Sequence, residues 1–337
     1  MVGDRGRDVT YHHAVQRFAR RLIATLELSR LPVAFGAVAN VWLMVFIART
    51  DPALAEAEVA RMPLWQALSA SALLAIGFLT FGAALNDFLD AKHDCAFAPS
   101  RPIPSGVVRP QRAIQLAAAS LCIGLLGAMP FGTAALLAAM ALATIVLMYD
   151  AFGKHIPALG LVLAGLATVA SMLAPAVETS LTLPIWLAMS QTMGVGAVAY
   201  VLGEKRPKLT RRAIVLGACG WIFWTTALVA IGSFRNDGEL LPPWVDPRRL
   251  FVPLVVVLAC ATFALWKLRG TRGPRVTEKL LRYGSLWKSL VAASWLVAIE
   301  LPIPAACIAG IALAIFALFA LLRETGPQLT EPVSWRS

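Results

Sequence analysis

Long apolar stretches separated by short polar loops leave this chain few folds to choose from. A hydrocarbon core takes about 20 mainly apolar residues per helix. Stretches that meet this run over residues 31–49, 63–85, 112–129, 131–149, 156–177, 183–203, 212–233, 250–267 and 286–322. The last is too long for one crossing and is interrupted at Glu300-Leu301-Pro302-Ile303-Pro304. Proline removes a helix hydrogen bond and disfavours helix in the residue before it. The segment therefore reads as two helices, or as a short leading helix followed by one span, which makes nine or ten crossings. With 58% hydrophobic and 15% charged residues in a chain of 337, too little polar surface exists to cover a soluble body. The expected fold is all-α and integral to the membrane. It divides into a basic arm (1–30), one helical unit (31–323) and a short tail (324–337).

The loops carry an orientation signal. The arm holds Arg5, Arg7, Arg17, Arg20, Arg21 and Arg30, and the second loop holds Lys92, Arg101, Arg109 and Arg112. The fourth holds Lys154 and His155, the sixth runs from Lys205 to Arg212, and the eighth from Lys267 to Lys288. Alternate loops are uncharged, acidic or mixed. Basic excess on every second loop places the arm and the even loops in the cytoplasm. It also accounts for the net charge of +11 without a nucleic-acid partner. A multi-pass protein of the cell (inner) membrane is expected. No short apolar core with a cleavage site follows the arm, so no removable leader is predicted. Cys95, Cys122, Cys219, Cys260 and Cys307 show neither CxxC nor Cys/His spacing, which predicts neither disulfides nor a zinc site.

One loop is chemically dense. After the second span the chain reads Asn86-Asp87-Phe88-Leu89-Asp90-Ala91-Lys92-His93-Asp94. On a helix this spacing puts Asp87, Asp90 and Asp94 on one face. Three like charges there repel unless something holds them, and Mg²⁺ shared with a phosphate ligand suits the task. A solvated acidic helix end is the plain alternative. Calcium fits less well, because the EF-hand spacing and its glycine are missing. Acids beside a bilayer are costly and tend to be functional. The loop returns through Arg101-Pro102-Ile103-Pro104-Ser105-Gly106, a rigid turn that brings Arg101 back toward the acids. Its guanidinium suits a phosphate oxygen, or simply reaches for lipid headgroups.

This pair of segments resembles the first aspartate-rich motif of the UbiA superfamily of intramembrane prenyltransferases, Asn-Asp-x-x-Asp-x-x-x-Asp followed by Arg-Pro-x-x-Ser-Gly. The resemblance implies a bundle of nine transmembrane helices around a central cavity. It implies Mg²⁺ held by Asp87, Asp90 and Asp94, with Asn86 beside them. A second likeness is Tyr149-Asp150-Ala151-Phe152-Gly153-Lys154, since the family often carries a tyrosine with a lysine a few residues on. Lys154 would then sit near the diphosphate, or serve only as a positive-inside anchor. Asp150 would assist the site or pair with Lys154.

The chain departs from the family after the sixth span. Where a second acidic motif is usual, it reads Gly203-Glu204-Lys205-Arg206-Pro207-Lys208. Either Glu204 alone supports a second metal while Lys205 and Arg206 neutralise phosphate, or the site keeps binding and has lost chemistry. A plain basic loop also explains these cations.

The resulting expectation is Mg²⁺-dependent transfer of a prenyl group from an isoprenyl diphosphate to a lipophilic or aromatic acceptor. Asp87, Asp90 and Lys154 are its catalytic residues. Asn86, Arg101, Tyr149, Asp150, Lys205 and Arg206 contact substrate, and Asp87, Asp90, Asp94 and Glu204 hold metal. A terpene cyclase of the same fold and a non-catalytic lipid-binding or assembly subunit are the alternatives. A transporter is disfavoured, since no internal repeat or matched pair of broken helices is found. Elsewhere, Asn40 reads as a helix–helix hydrogen bond or a cavity residue, and Trp287 and Lys288 read as interface anchors.

Overall fold

The computed structural model describes residues 31–97, 99, 101–204 and 207–330. The basic arm, Lys205, Arg206 and residues 331–337 lie outside them. Ten long helices make up the described chain: α1 (Leu31–Thr50), α2 (Leu64–Leu89), α3 (Pro110–Ala128), α4 (Thr133–Ala151), α5 (Pro157–Leu173), α6 (Leu183–Leu202), α7 (Arg211–Arg235), α8 (Phe251–Leu268), α9 (Pro274–Ala298) and α10 (Pro302–Thr330). No strand occurs among the described residues. Helices α2 to α8 are long and apolar enough to cross a membrane. The protein is a multi-pass membrane protein.

Local sequence sets the helix boundaries. Proline opens α3 (Pro110), α5 (Pro157) and α9 (Pro274), where its missing N–H is not needed and its fixed φ suits the first turn. The Thr210 hydroxyl accepts from the Ala213 N–H and caps α7. The interruption expected at residues 300–304 is real. Glu300 adopts φ 65°, the Leu301 N–H donates to the Leu296 carbonyl at 2.8 Å, and Pro302 starts the next helix. The start of α9 differs from the expectation. It lies at Pro274 rather than near 286, because a charged opening segment continues as helix instead of ending as loop. Val276 and Leu280 on that segment are buried, and they bury it against the rest of the bundle.

The centre of the bundle is α1. Val41, Leu43, Met44 and Ile47 are among its fully buried side chains. Helices α7 and α8 turn large apolar residues outward, including Leu216, Phe223, Leu254 and Leu265, as a lipid-facing surface requires. Between helices there is no hydrophobic gain to be had from lipid, so close backbone approach does the packing. At the α2–α3 crossing, a Cβ on Gly77 would lie 2.4 Å from the Gly124 nitrogen, and one on Gly127 would lie 2.4 Å from the Leu74 nitrogen. Likewise α9 meets α1 at Gly36, whose N–H donates to the Ser285 hydroxyl at 3.0 Å.

The loops sort into two sets, in step with the charge alternation. At one end of the bundle, Tyr200 Oη donates to the Lys154 carbonyl and the Gly273 N–H to the Leu202 carbonyl. These bonds tie the fourth, sixth and eighth loops together. At the other end, the Ser180 hydroxyl donates to the buried Asp51 carboxylate at 2.8 Å. There too, Arg235 donates to the carbonyls of Val177 and Thr179, and Arg249 pairs with Glu300 at 2.7 Å. The odd loops are tied to one another in the same way.

Candidate functional site

The last turn of α2 and the short helix Ala91–Phe97 carry the acids. The backbone stays helical through the junction, with Asp90 N–H donating to the Asn86 carbonyl at 2.9 Å and Asp94 N–H to the Asp90 carbonyl at 2.8 Å. The i, i+3, i+7 spacing therefore acts as it would on one helix. Asp87 and Asp90 are half-buried and Asp94 is buried. The returning loop is seated by a small apolar cluster, in which Ile103, Val108 and Ala113 pack on Phe88, Ala91 and Leu116. Within it, Ser105 N–H donates to the Arg101 carbonyl and Val108 N–H to the Pro102 carbonyl, and Gly106 takes φ 75°. This places Arg101 over the acids. Its guanidinium donates to Asp94 at 2.6 Å and lies 3.9 Å from Asp87.

The second cation comes from far along the chain. The 3₁₀ turn Gly153–His155 that follows α4 delivers Lys154, whose amino group donates to Asp90 Oδ1 at 2.7 Å and to Asn86 Oδ1 at 3.1 Å. Lys154 is only 13% exposed along its side chain. A lysine so enclosed requires a partner, so a lipid-seeking anchor role is not what the fold gives it. Asp150 is buried beneath α2, its Oδ2 3.8 Å from where a Gly82 Cβ would sit. Tyr149 is half-buried beside it. Tyr200, not singled out from the sequence, joins the site from α6 by donating to the Lys154 carbonyl at 3.2 Å.

Among the described residues no three His, Cys, Asp or Glu side chains converge as a preformed metal cage. The three carboxylates are divided between Lys154 and Arg101. The donor set still fits Mg²⁺ in kind. It is all oxygen, and Mg²⁺ ordinarily takes only one or two carboxylates, filling its octahedron with water and substrate phosphate. Glu204 stands apart. It is exposed on the turn after α6 with φ 52° and has no ion pair among the described residues.

A cavity of about 660 Å³ lies among α8, α9 and α10, lined by residues such as Cys260, Phe263, Leu290 and Ala306. None of the acid-loop residues lines it, and its wall is apolar. The acid loop, Lys154 and Tyr200 lie elsewhere, at the ends of α2, α4 and α6.

The sequence matches the UbiA prenyltransferase family over residues 52–289. The chain belongs to that family. No curated protein matches it. Among solved structures, digeranylgeranylglyceryl phosphate synthase superposes with a TM-score of 0.54 at 18% identity, covering 83% of this chain and 99% of that one. A UbiA homologue from Archaeoglobus fulgidus bound to DMAPP and Mg²⁺ gives 0.54 at 16%, covering 82% and 99%. The same homologue bound to GPP and Mg²⁺ gives 0.52 at 16%, covering 82% and 99%. Identities this low carry the UbiA fold. The family match spans both the acid loop and Lys154, which the fold brings into contact.

Proposed function

We propose that this UbiA-family chain transfers a prenyl group from an isoprenyl diphosphate to a lipophilic or aromatic acceptor within the membrane, with Mg²⁺ as its cofactor. The observation that carries this reading is the meeting of Asn86, Asp90 and Lys154, brought together from α2 and the turn after α4 at one end of a membrane bundle. A solvated acidic helix end needs no such half-buried lysine. The solved UbiA homologue bound to DMAPP or GPP with Mg²⁺ supports the choice of ligand. The basic excess on the even loops supports a cytoplasmic position for this end.

Asp87 and Asp90 would hold Mg²⁺, and that ion, when bound, supplies positive charge to a departing diphosphate. Asp94 fixes Arg101, and Arg101 faces the same phosphate oxygens. Lys154 is poised by Asn86 to exchange its bond to Asp90 for one to phosphate, giving charge stabilisation aimed at the leaving group. Tyr200 holds the Lys154 backbone in place. In the reaction the prenyl C1–O bond breaks with its electron pair leaving on diphosphate. The acceptor supplies the pair for the new bond to C1, and its proton is lost afterwards.

Lys154→Met is expected to weaken geranyl diphosphate binding by about tenfold to a hundredfold, read by equilibrium binding in detergent. Lys154→Arg should recover part of it. The activity itself is tested with geranyl and geranylgeranyl diphosphates labelled in the prenyl group, supplied with Mg²⁺ and a membrane lipid extract. Label moving into a larger lipid product, with diphosphate released, is the expected result. A specific observation favours a second reading. Glu204 is exposed, without an ion pair among the described residues, and is the loop's sole acid. Tight Mg²⁺-dependent binding with no release would mean that the chain binds prenyl diphosphate without turning it over.

A further inference from the structure

The apolar cavity among α8, α9 and α10 is set apart from the acid loop by α9 itself. On that helix Ser285 faces α1, where its hydroxyl accepts from the Gly36 N–H. Leu286, Leu290 and Val297 face the other way and line the cavity. Trp287 also lines it, packs with Ala199 and Leu280 and is 6% exposed. Lys288 shares a stripe of α9 with the buried Gly284, Val291 and Trp295, so neither residue is an interface anchor. The third wall, α10, lies wholly beyond residues 52–289, the span of the family match. The cavity thus depends on a helix outside the region that this chain shares with its family.

Its shape and lining call for a hydrocarbon chain. Along α8 it runs from Phe263 to Val252, roughly 17 Å of helix axis. That is close to half of a hydrocarbon core about 30 Å thick, the depth of one leaflet. Its volume of about 660 Å³ is that of a ligand site. Among its lining residues the sole hydroxyl, on Ser294, already donates to the Val291 carbonyl at 2.6 Å. Ala259 on α8 and Ala306 on α10 line it and are exposed, which leaves it open to the bilayer between those helices. Charge singles out one end. Just past Phe263, Lys267 folds back along α8, its ammonium 5.7 Å from the Phe263 ring centre and 4.5 Å from that of Trp266. It has no ion pair among the described residues. Lys279 stands beside it, donating to the Lys267 carbonyl and the Thr271 hydroxyl. The sequence from Lys267 to Lys288 carries a single acid, Glu278. At the cavity's other end Arg249 is already met by Glu300 and Asp246.

We propose that this cavity binds an anionic phospholipid, with one acyl chain held between α8, α9 and α10 and the phosphate on Lys267. Basic pockets between transmembrane helices suit such headgroups. Both features fit one molecule. The apolar lining ends at Phe263, and the cation that closes over this ring stands where the headgroup of the adjoining leaflet lies. A zwitterionic head would bring its own ammonium to a cluster of cations. An uncharged chain would leave Lys267 with two aromatic rings and no anion. The acid loop is on the far side of α9, so the lipid and a prenyl diphosphate occupy separate sites.

The test uses the full chain in detergent, with dioleoylphosphatidylglycerol and dioleoylphosphatidylcholine as probes and glycerophosphate as the headgroup alone. By native mass spectrometry, wild-type protein should retain phosphatidylglycerol more tightly than phosphatidylcholine by about fivefold to tenfold. Lys267→Met should bring the two lipids level, and Lys267→Arg should restore most of the preference. Ala306→Phe, which fills the cavity from its exposed side, should weaken both lipids. Mg²⁺-dependent geranyl diphosphate binding should be the same in wild type and all variants, which keeps failure here distinct from failure of the transferase reading. Equal retention of the two lipids by wild type, or a preference that survives Lys267→Met, would overturn the proposal. Retention untouched by Ala306→Phe would overturn it by placing the lipid elsewhere on the surface. Glycerophosphate binding as tightly as phosphatidylglycerol would overturn it in favour of a phosphate site that needs no chain. Loss of geranyl diphosphate binding in folded Ala306→Phe would overturn it by giving the cavity to the prenyl chain.

Discussion

Asp90→Ala should lower diphosphate release from geranyl diphosphate by about a thousandfold or more, while the protein stays folded. Asp90 has two duties. In the structure it holds the Lys154 ammonium at 2.7 Å, and in the proposed reaction it holds metal. Removing it strips a ligand from Mg²⁺ and leaves Lys154, a half-buried cation, with only the Asn86 carbonyl. Losing preorganised charge at a leaving group costs on the order of a hundredfold to a thousandfold per group, and here two groups are affected together. The effect should be larger than that of Asp94→Ala, because Asp94 acts by seating Arg101 rather than by touching Lys154. Initial-rate measurements on both variants check the order. Equal loss in the two would mean that the Asp90–Lys154 pair has no special part.

The second large effect is on folding. Gly77→Val should destabilise the protein by more than about 3 kcal/mol and lower its detergent melting temperature accordingly. A Cβ at that position would stand 2.4 Å from the Gly124 nitrogen and 2.6 Å from its Cα. Backbone cannot move aside as a flexible side chain does, so α2 and α3 would have to separate. The acid loop hangs from the end of α2, and activity should fall with the packing. Gly194→Ala is the control. It lies mid-helix in α6 with nothing within 4 Å of an added Cβ, and alanine should stabilise it by up to about 1 kcal/mol. A thermal-unfolding series on the two variants measures the difference.

What could be read from the sequence followed from how local each signal is. The acid loop and its returning arginine are packed into residues 86–106, and their spacing alone placed them on one helical face. Helix boundaries were legible where proline or a charged loop marks them, as at Pro110 and Pro157. The start of α9 was not, because its opening turns carry charges that read as loop, while the burial of Val276 and Leu280 depends on the rest of the bundle. That error propagates to Lys288. With the helix placed from residue 286, Lys288 falls at its mouth, where an anchor is sensible. With the helix beginning at Pro274, it falls at mid-depth on a buried stripe. Lys154 was seen as a site residue, but its partners were not, since Asn86 and Asp90 lie far away in sequence and only the packing of α2 and α4 joins them. Tyr200 carried no signal beyond a polar group near a helix end.

Binding of a prenyl diphosphate at the acid loop through Mg²⁺ underlies every activity prediction above. The most direct measurement is equilibrium binding of geranyl diphosphate to the purified full chain, with Mg²⁺ and with the metal removed by chelation. Saturable binding with Mg²⁺ is expected, weakening by at least about tenfold on chelation and returning when the ion is restored. Absence of binding by folded protein, or binding as tight without the metal as with it, would rule out a Mg²⁺-dependent diphosphate site at the acid loop.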